Sequence, residues 1–194
     1  MIPEKIDRRV RKTKAQLMQG LIQLMREKDI KDISVKELSD LVDINRGTFY
    51  LHYSDIYDMV NQIEDDLFTQ FTSILRKDLA EDPTKLSSHH AMLLDIFQVL
   101  DSNREITRVL IGPHGDLTFV NRLKDMVKSQ LESVFQSERN EPGFEYLFAF
   151  IVSGYVGVFE TWLMAKEPLS PEYLASLCVK LISPGLLAFQ HPQI

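Results

Sequence analysis

Cysteine is almost missing from this chain: Cys178 is the single one in 194 residues. That excludes an intrachain disulfide and makes a reducing cytoplasm the expected compartment. No cationic segment followed by an apolar run and a small-residue cleavage site begins the sequence, so no secretory signal is expected. The longest apolar stretch, roughly Phe144 to Ala165, is interrupted by Glu145, Ser153, Gly154, Gly157 and Glu160. It reads as a poor membrane span and as a buried helix, and no membrane partner is expected. Apolar–polar alternation with period two is missing too, which leaves no sheet to build and an all-α fold as the expectation. His89, His90, His114 and His191 lack the spacing with other histidines, cysteines or carboxylates that a metal site shows, and read as surface or loop residues. No phosphate-cradling glycine loop, Ser-His-Asp order or isolated carboxylate pair is present, so neither a cofactor nor enzyme activity is expected.

A net positive charge is also absent, with a formal total of -6. The charge is segregated, however. Up to Tyr53 there are eleven Lys and Arg against eight Asp and Glu, a net of +3, which leaves -9 for the remainder. Lys5, Arg8, Arg9, Arg11, Lys12 and Lys14 form the densest basic run and can neutralise phosphates, while the acidic remainder repels nucleic acid. A solvated helix face is the bland alternative for that run.

Apolar residues recur at helical spacing almost throughout. Asp7 to Lys28 predicts a first helix, with Leu17, Leu21 and Leu24 on one stripe and Met18, Ile22 and Met25 beside it. Ser34 and Glu37 form an S-x-x-E capping box, in which the serine accepts from the Glu37 amide and the glutamate reaches back to the Ser34 amide. A short second helix follows, with Val35, Leu38, Leu41 and Val42 inward, ending at Asp43, a residue type that tolerates the left-handed conformation. Asn45 is a good N-cap, and Ile44 can staple onto Phe49. Asn45 to Tyr53 then places Arg46, Thr48, Tyr50 and His52, all hydrogen-bonding residues, around the apolar anchor Phe49. Two short helices joined by a tight turn match helix-turn-helix organisation, in which the second enters the major groove. Ser54 or Asp55 caps a long fourth helix with the stripe Ile56, Val60, Ile63, Leu67, Phe71 and Ile74. After the breaker Glu81-Asp82-Pro83, helical patterns run over about 86–101, 104–111, 116–137, 143–166 and 171–183. The breaks between them fall at turn chemistry such as Gly112-Pro113-His114-Gly115 and Asn140-Glu141-Pro142-Gly143.

The stretch Ser34 to Tyr53, and above all Gly47-Thr48-Phe49-Tyr50-Leu51-His52-Tyr53, closely resembles the DNA-binding domain of TetR/AcrR-type transcriptional regulators. The motif likeness covers about residues 7–75. Phe144 to Leu181, with Gly154, Gly157 and Trp162 before a proline-flanked break, is similar to the C-terminal region of a subgroup that includes the activator of dihydroxyacetone kinase operons. The resemblance implies a homodimer of nine-helix subunits, each with a three-helix DNA-binding head and a C-terminal domain for dimerisation and effector binding. On this basis the expected division is a helix-turn-helix head over 1–54, a connecting helix over 55–80 and a C-terminal domain over 81–194. The chain departs from the family at Val42-Asp43, where alanine-glycine is usual, and at Ile56, where a lysine is common.

Within that frame Lys36, Asn45, Arg46, Gly47, Thr48, Tyr50, Leu51, His52 and Tyr53 are the candidate DNA-binding residues. Arg46, Thr48 and Lys36 reach base edges, Tyr50 and His52 hold phosphates, and Leu51 touches a thymine methyl group or is merely exposed. Gly47 permits close approach of the backbone or packs tightly against the first helix. Arg8, Arg11, Lys12 and Ser34 are candidate phosphate contacts. Gly154, Gly157, Val158 and Trp162 of the eighth helix, with Leu174, Leu177 and Leu181 of the ninth, are the candidate dimer interface, the alternative being an intrachain core. Phe97, Leu100, Phe119, Leu123, Phe148 and Tyr155 could line an effector pocket or simply fill the core, so the effector site stays unassigned. The functional expectation is a dimeric regulator bound to a double-stranded operator, a repressor released by a small-molecule effector. The alternatives are an activator controlled by a partner protein, or a helical enzyme or adaptor.

Overall fold

The computed structural model describes residues 8–80, 86–134 and 142–190. Among them there are nine α-helices, one 3-10 turn and no strand. The chain runs α1 (Arg8–Met25), the 3-10 turn (Ile30–Asp32), α2 (Val35–Leu41), α3 (Arg46–Tyr50), α4 (Ile56–Ala80), α5 (Leu86–Ser102), α6 (Arg104–Leu110), α7 (Leu117–Val134), α8 (Phe144–Met164) and α9 (Pro171–Gln190). The breaker Glu81-Asp82-Pro83, Asn140-Glu141, Lys5 and His191 lie outside the described residues.

Two compact units result. The first holds the described residues up to Asp65 together with Val109–Asp116; the second holds Asp66–Arg108 and the described residues from Leu117 onward. The division falls inside α4, and it draws into the first unit a segment that chain order alone assigns to the C-terminal part.

The first unit is built on Leu17, Leu21, Leu38, Phe49 and Met59, all fully excluded from solvent. Gly20 decides how closely α1 and α2 meet: a Cβ there would lie 2.8 Å from Leu38 Cδ1 and would overlap Val42. The Ser34 cap forms as expected, its Oγ accepting from the Glu37 amide at 3.2 Å. The other half of the capping box is replaced, because the Glu37 carboxylate pairs with Lys28 in the turn after α1. Leu41 is 41% exposed rather than fully inward, although its Cδ2 still lies near Gly20. Asp43 takes φ 52, the left-handed turn the sequence predicts. Asp55 caps α4, accepting from the Asp58 amide at 2.8 Å, while Asp58 accepts from the Ser54 amide at 2.7 Å. That second bond holds the Asp58 carboxyl below its ordinary range.

In the second unit α5 packs on α9, and α8 on α7 and α9. Its interior is a run of rings: His89 stacks on Tyr155, Tyr155 on Phe159, and Phe97 meets both Phe159 and Trp162 edge-on. His89 and His90 are not loop residues but lie half-buried on α5. His89 Nε2 lies 2.5 Å from the Tyr155 hydroxyl and His90 Nε2 3.0 Å from Ser176 Oγ, so the pair fastens α5 to α8 and α9. Burial lowers the His89 pKa and raises those of Tyr155 and Cys178, the last to about 11. Ser170 caps α9 as expected. The helix then continues through Pro184 to Gln190 instead of stopping near 183; an internal proline costs one backbone bond and favours a kink, but it does not have to end a helix.

Candidate nucleic-acid interface

The recognition segment is positioned by its own caps and by one ring. Asn45 Oδ1 accepts from the Gly47 amide at 2.7 Å, which satisfies one of the donors that open α3. Phe49 is fully buried and stands edge-on to Tyr50, with ring centroids 5.6 Å apart. Because α3 has only one buried anchor, the rest of its surface stays outward. Arg46, Gly47, Tyr50 and Leu51 are exposed, and Thr48 and His52 are half-buried. Leu51, at 79% exposure, has no packing role within the subunit.

Tyr53 is placed differently from its candidate role. It is 6% exposed, its ring lies 5.6 Å from that of Phe49, and the Lys14 ammonium sits over it at 5.2 Å. Its ring is therefore part of the core, and it ties α1 to the end of the recognition motif. A helical spacing of four from Phe49 is the signal that could have shown this. Gly47 is also clarified. The single atom near an added Cβ would be Asn45 Oδ1 at 3.1 Å, and none of the nearby atoms belongs to α1. Packing on the first helix thus belongs to Gly20, and Gly47 faces outward. Ser34, Lys36, Arg8, Arg11 and Lys12 are all exposed. Ile56, standing where the family often has lysine, is 4% exposed and forms part of the core.

The second candidate surface lies on α8 and α9. Tyr146 and Phe150 are 81% and 70% exposed, and Gly154, Gly157, Thr161 and Met164 continue the same stripe at helical spacing. A Cβ on Gly154 or Gly157 would meet nothing within 4 Å. Tyr173 and Leu181 of α9 are likewise exposed, with Val158 and Leu177 half-buried. Trp162 and Leu174, in contrast, are 4% and 5% exposed and belong to the interior of the unit. The Trp162 indole donates to the Leu169 carbonyl, and Arg104 lies over its ring. Of the candidate pocket residues, Phe97, Leu100, Phe119 and Tyr155 are buried in that interior. Phe148 instead floors a groove of about 510 Å³ between α7 and α8, with Phe144 and Val152 beside it and Lys124, Lys128, Asp125, Glu132 and Glu145 around it. By length and mean hydropathy (1.6) α8 could cross a membrane, but 39% of the apolar window is buried in the unit. Among the described residues no group of His, Cys, Asp and Glu is arranged to hold a metal ion.

Comparison with known proteins agrees with this architecture. The family model for a TetR-type transcriptional regulator C-terminal region matches residues 87–184. An uncharacterised helix-turn-helix regulator of Bacillus subtilis, YxbF, is 30% identical over 53 residues, which is 27% of this chain and 14% of that protein. Among solved structures, a TetR-family regulator of Syntrophomonas wolfei superposes with a TM-score of 0.66 at 15% identity, covering 91% of this chain and 96% of the other. The dihydroxyacetone kinase operon activator DhaS gives 0.59 at 17% identity, covering 91% and 97%. These relatives are regulators and not enzymes, and with half of the sequence matched by the family model the chain belongs to the TetR family of transcriptional regulators.

Proposed function

We propose that the protein acts as a homodimer on a pseudo-palindromic operator, with the α3 helices of its two heads in successive major grooves. The observation that carries this is the division of α3: Phe49 is fully buried, while Arg46, Gly47, Tyr50 and Leu51 are exposed. Arg46 and Lys36 read base edges, Tyr50 and His52 hold phosphate oxygens, and Gly47 lets the backbone approach. Arg8, Arg11 and Lys12 add sequence-independent attraction. The exposed stripe of α8, with Tyr173, Leu177 and Leu181 of α9, is the surface a second copy covers, the two glycines allowing the helices to close on each other. Such cover also accounts for the apolar character of α8 without a membrane, in keeping with a cytoplasmic regulator. Repression relieved by an effector requires only that the effector bind one dimer geometry more tightly than the other.

Genomic fragments selected on the purified protein at low salt test the reading. Enrichment of an inverted repeat is the expected result; no enrichment of any sequence would overturn it. A reporter carrying the recovered site then decides between repression and partner-controlled activation, because the sign depends on where the site lies relative to the promoter.

A further inference from the structure

The buried stripe of α1 ends on a charge. Steps of three and four residues carry that stripe from Leu21 and Leu17, both fully excluded from solvent, back to Lys14 and the half-buried Val10. Arg8, Arg11 and Lys12 fall off this line and are exposed. Lys14 therefore differs from its neighbours in the basic run by its place on the helix. A lysine at the edge of an apolar stripe lays its stem along the surface of the core and keeps its ammonium in water. Here the ammonium lies over the Tyr53 ring, 5.2 Å from the centroid.

Tyr53 in turn belongs to a cluster of rings that begins at the anchor of α3. Its centroid is 5.6 Å from that of Phe49 and 6.3 Å from that of His52, which meets it edge-on with 64° between the planes. The backbone here is fixed, because the His52 and Tyr53 amides both donate to the Phe49 carbonyl, at 2.9 and 3.1 Å. What stays adjustable is the imidazole of His52, and it packs against the Tyr53 ring. The Lys14 ammonium touches the same ring from α1. All of these residues belong to the first compact unit.

We propose that Lys14 is a positioning residue for DNA recognition: through the Tyr53 ring it holds the His52 imidazole in the orientation that meets a phosphate, and it makes no DNA contact of its own. The attraction of an ammonium for an aromatic face at an exposed site is small but directional. It is enough to favour one orientation of a half-buried side chain, and too little to decide whether a head folds that already buries Leu17, Leu21, Leu38 and Phe49 completely. The inference rests on the operator reading, in which His52 holds a phosphate oxygen.

The test uses the full-length protein, the selected operator and a random duplex of the same length, over a series of salt concentrations. Lys14→Gln, which removes the charge and keeps most of the stem, is expected to weaken binding about two- to fivefold on both duplexes, the scale of an exposed cation–π contact. Its salt dependence should match the wild type, whereas loss of a phosphate contact lowers that slope by about 0.9. Lys14→Arg, whose guanidinium also stacks on rings, should restore affinity. In a His52→Ala background Lys14→Gln should cost nothing more. In the free protein the imidazole resonances of His52 should move in Lys14→Gln and return in Lys14→Arg. Unchanged affinity, a slope lowered as for a phosphate contact, failure of Lys14→Arg to restore binding, a cost that persists beside His52→Ala, or His52 resonances that stay in place would each overturn the proposal. Wild-type protein that selects no DNA would sink the operator reading instead, and the resonances would still test the coupling of Lys14 to His52.

Discussion

Adding a methyl group at Gly154 and at Gly157 should move two properties of this protein in opposite directions. Within the subunit a Cβ at either position meets nothing within 4 Å. The backbone is helical at both, so each Gly→Ala change gains about 0.5–1 kcal/mol from reduced unfolded-state entropy and better helix propensity. The double variant should therefore be more stable as a subunit by ~1–2 kcal/mol. In the proposed dimer each methyl appears twice across a two-fold axis, between helices that the glycines would allow to approach closely. Overfilling such a contact costs about 1–3 kcal/mol, which raises the dimer dissociation constant roughly 5- to 150-fold. Sedimentation over a dilution series reads the second quantity. Urea unfolding below the dissociation constant reads the first, since subunit association itself stabilises the fold by mass action. A more stable subunit whose dimer is as tight as before would show that the glycines do not face a partner. A less stable subunit would show that the stripe is packed within the chain.

Gly20→Ala should have the reverse character: a helix gain of about 0.5–1 kcal/mol against overlap with Leu38 and Val42 costing about 1–3 kcal/mol leaves a net loss of stability near 1 kcal/mol, read as a lowered urea midpoint, and a raised midpoint would show that α2 yields instead. His89 makes the fold acid-sensitive. Burial lowers its pKa from the ordinary 6.5, so below that pH the unfolded chain binds a proton that the folded one refuses; stability then rises with pH and levels off above 6.5. Unfolding midpoints at pH 5, 6 and 7 should lose part of that slope in His89→Gln, and an unaltered slope would place its source elsewhere. In an operator library Arg46→Ala should change base preference, whereas Tyr50→Ala should weaken binding on all sequences; Arg11→Ala should do the latter and also flatten the salt dependence. Identical profiles for the Arg46 and Tyr50 variants would refute the division of roles along α3.

Local chemistry made much of the fold readable from the sequence. The Ser34, Asn45, Asp55 and Ser170 caps, the left-handed Asp43 and the apolar spacing are set by residues within four positions of one another, and hydrogen bonds of that range form much as the sequence predicts. The outward face of α3 is legible for the same reason, since one buried anchor in five residues leaves the others exposed or half-buried. What the sequence could not decide depended on partners far along the chain. Glu37 turns to Lys28 and not to its own cap, Tyr53 is covered by Lys14 of α1, and Trp162 and Leu174 face the subunit interior while neighbouring residues face outward. His114 meets Asp29 across 85 positions and His89 meets Tyr155 across 66. A sequence specifies periodicity and local caps directly, but which long-range pairs form depends on how the helices pack, and only the tertiary structure supplies that.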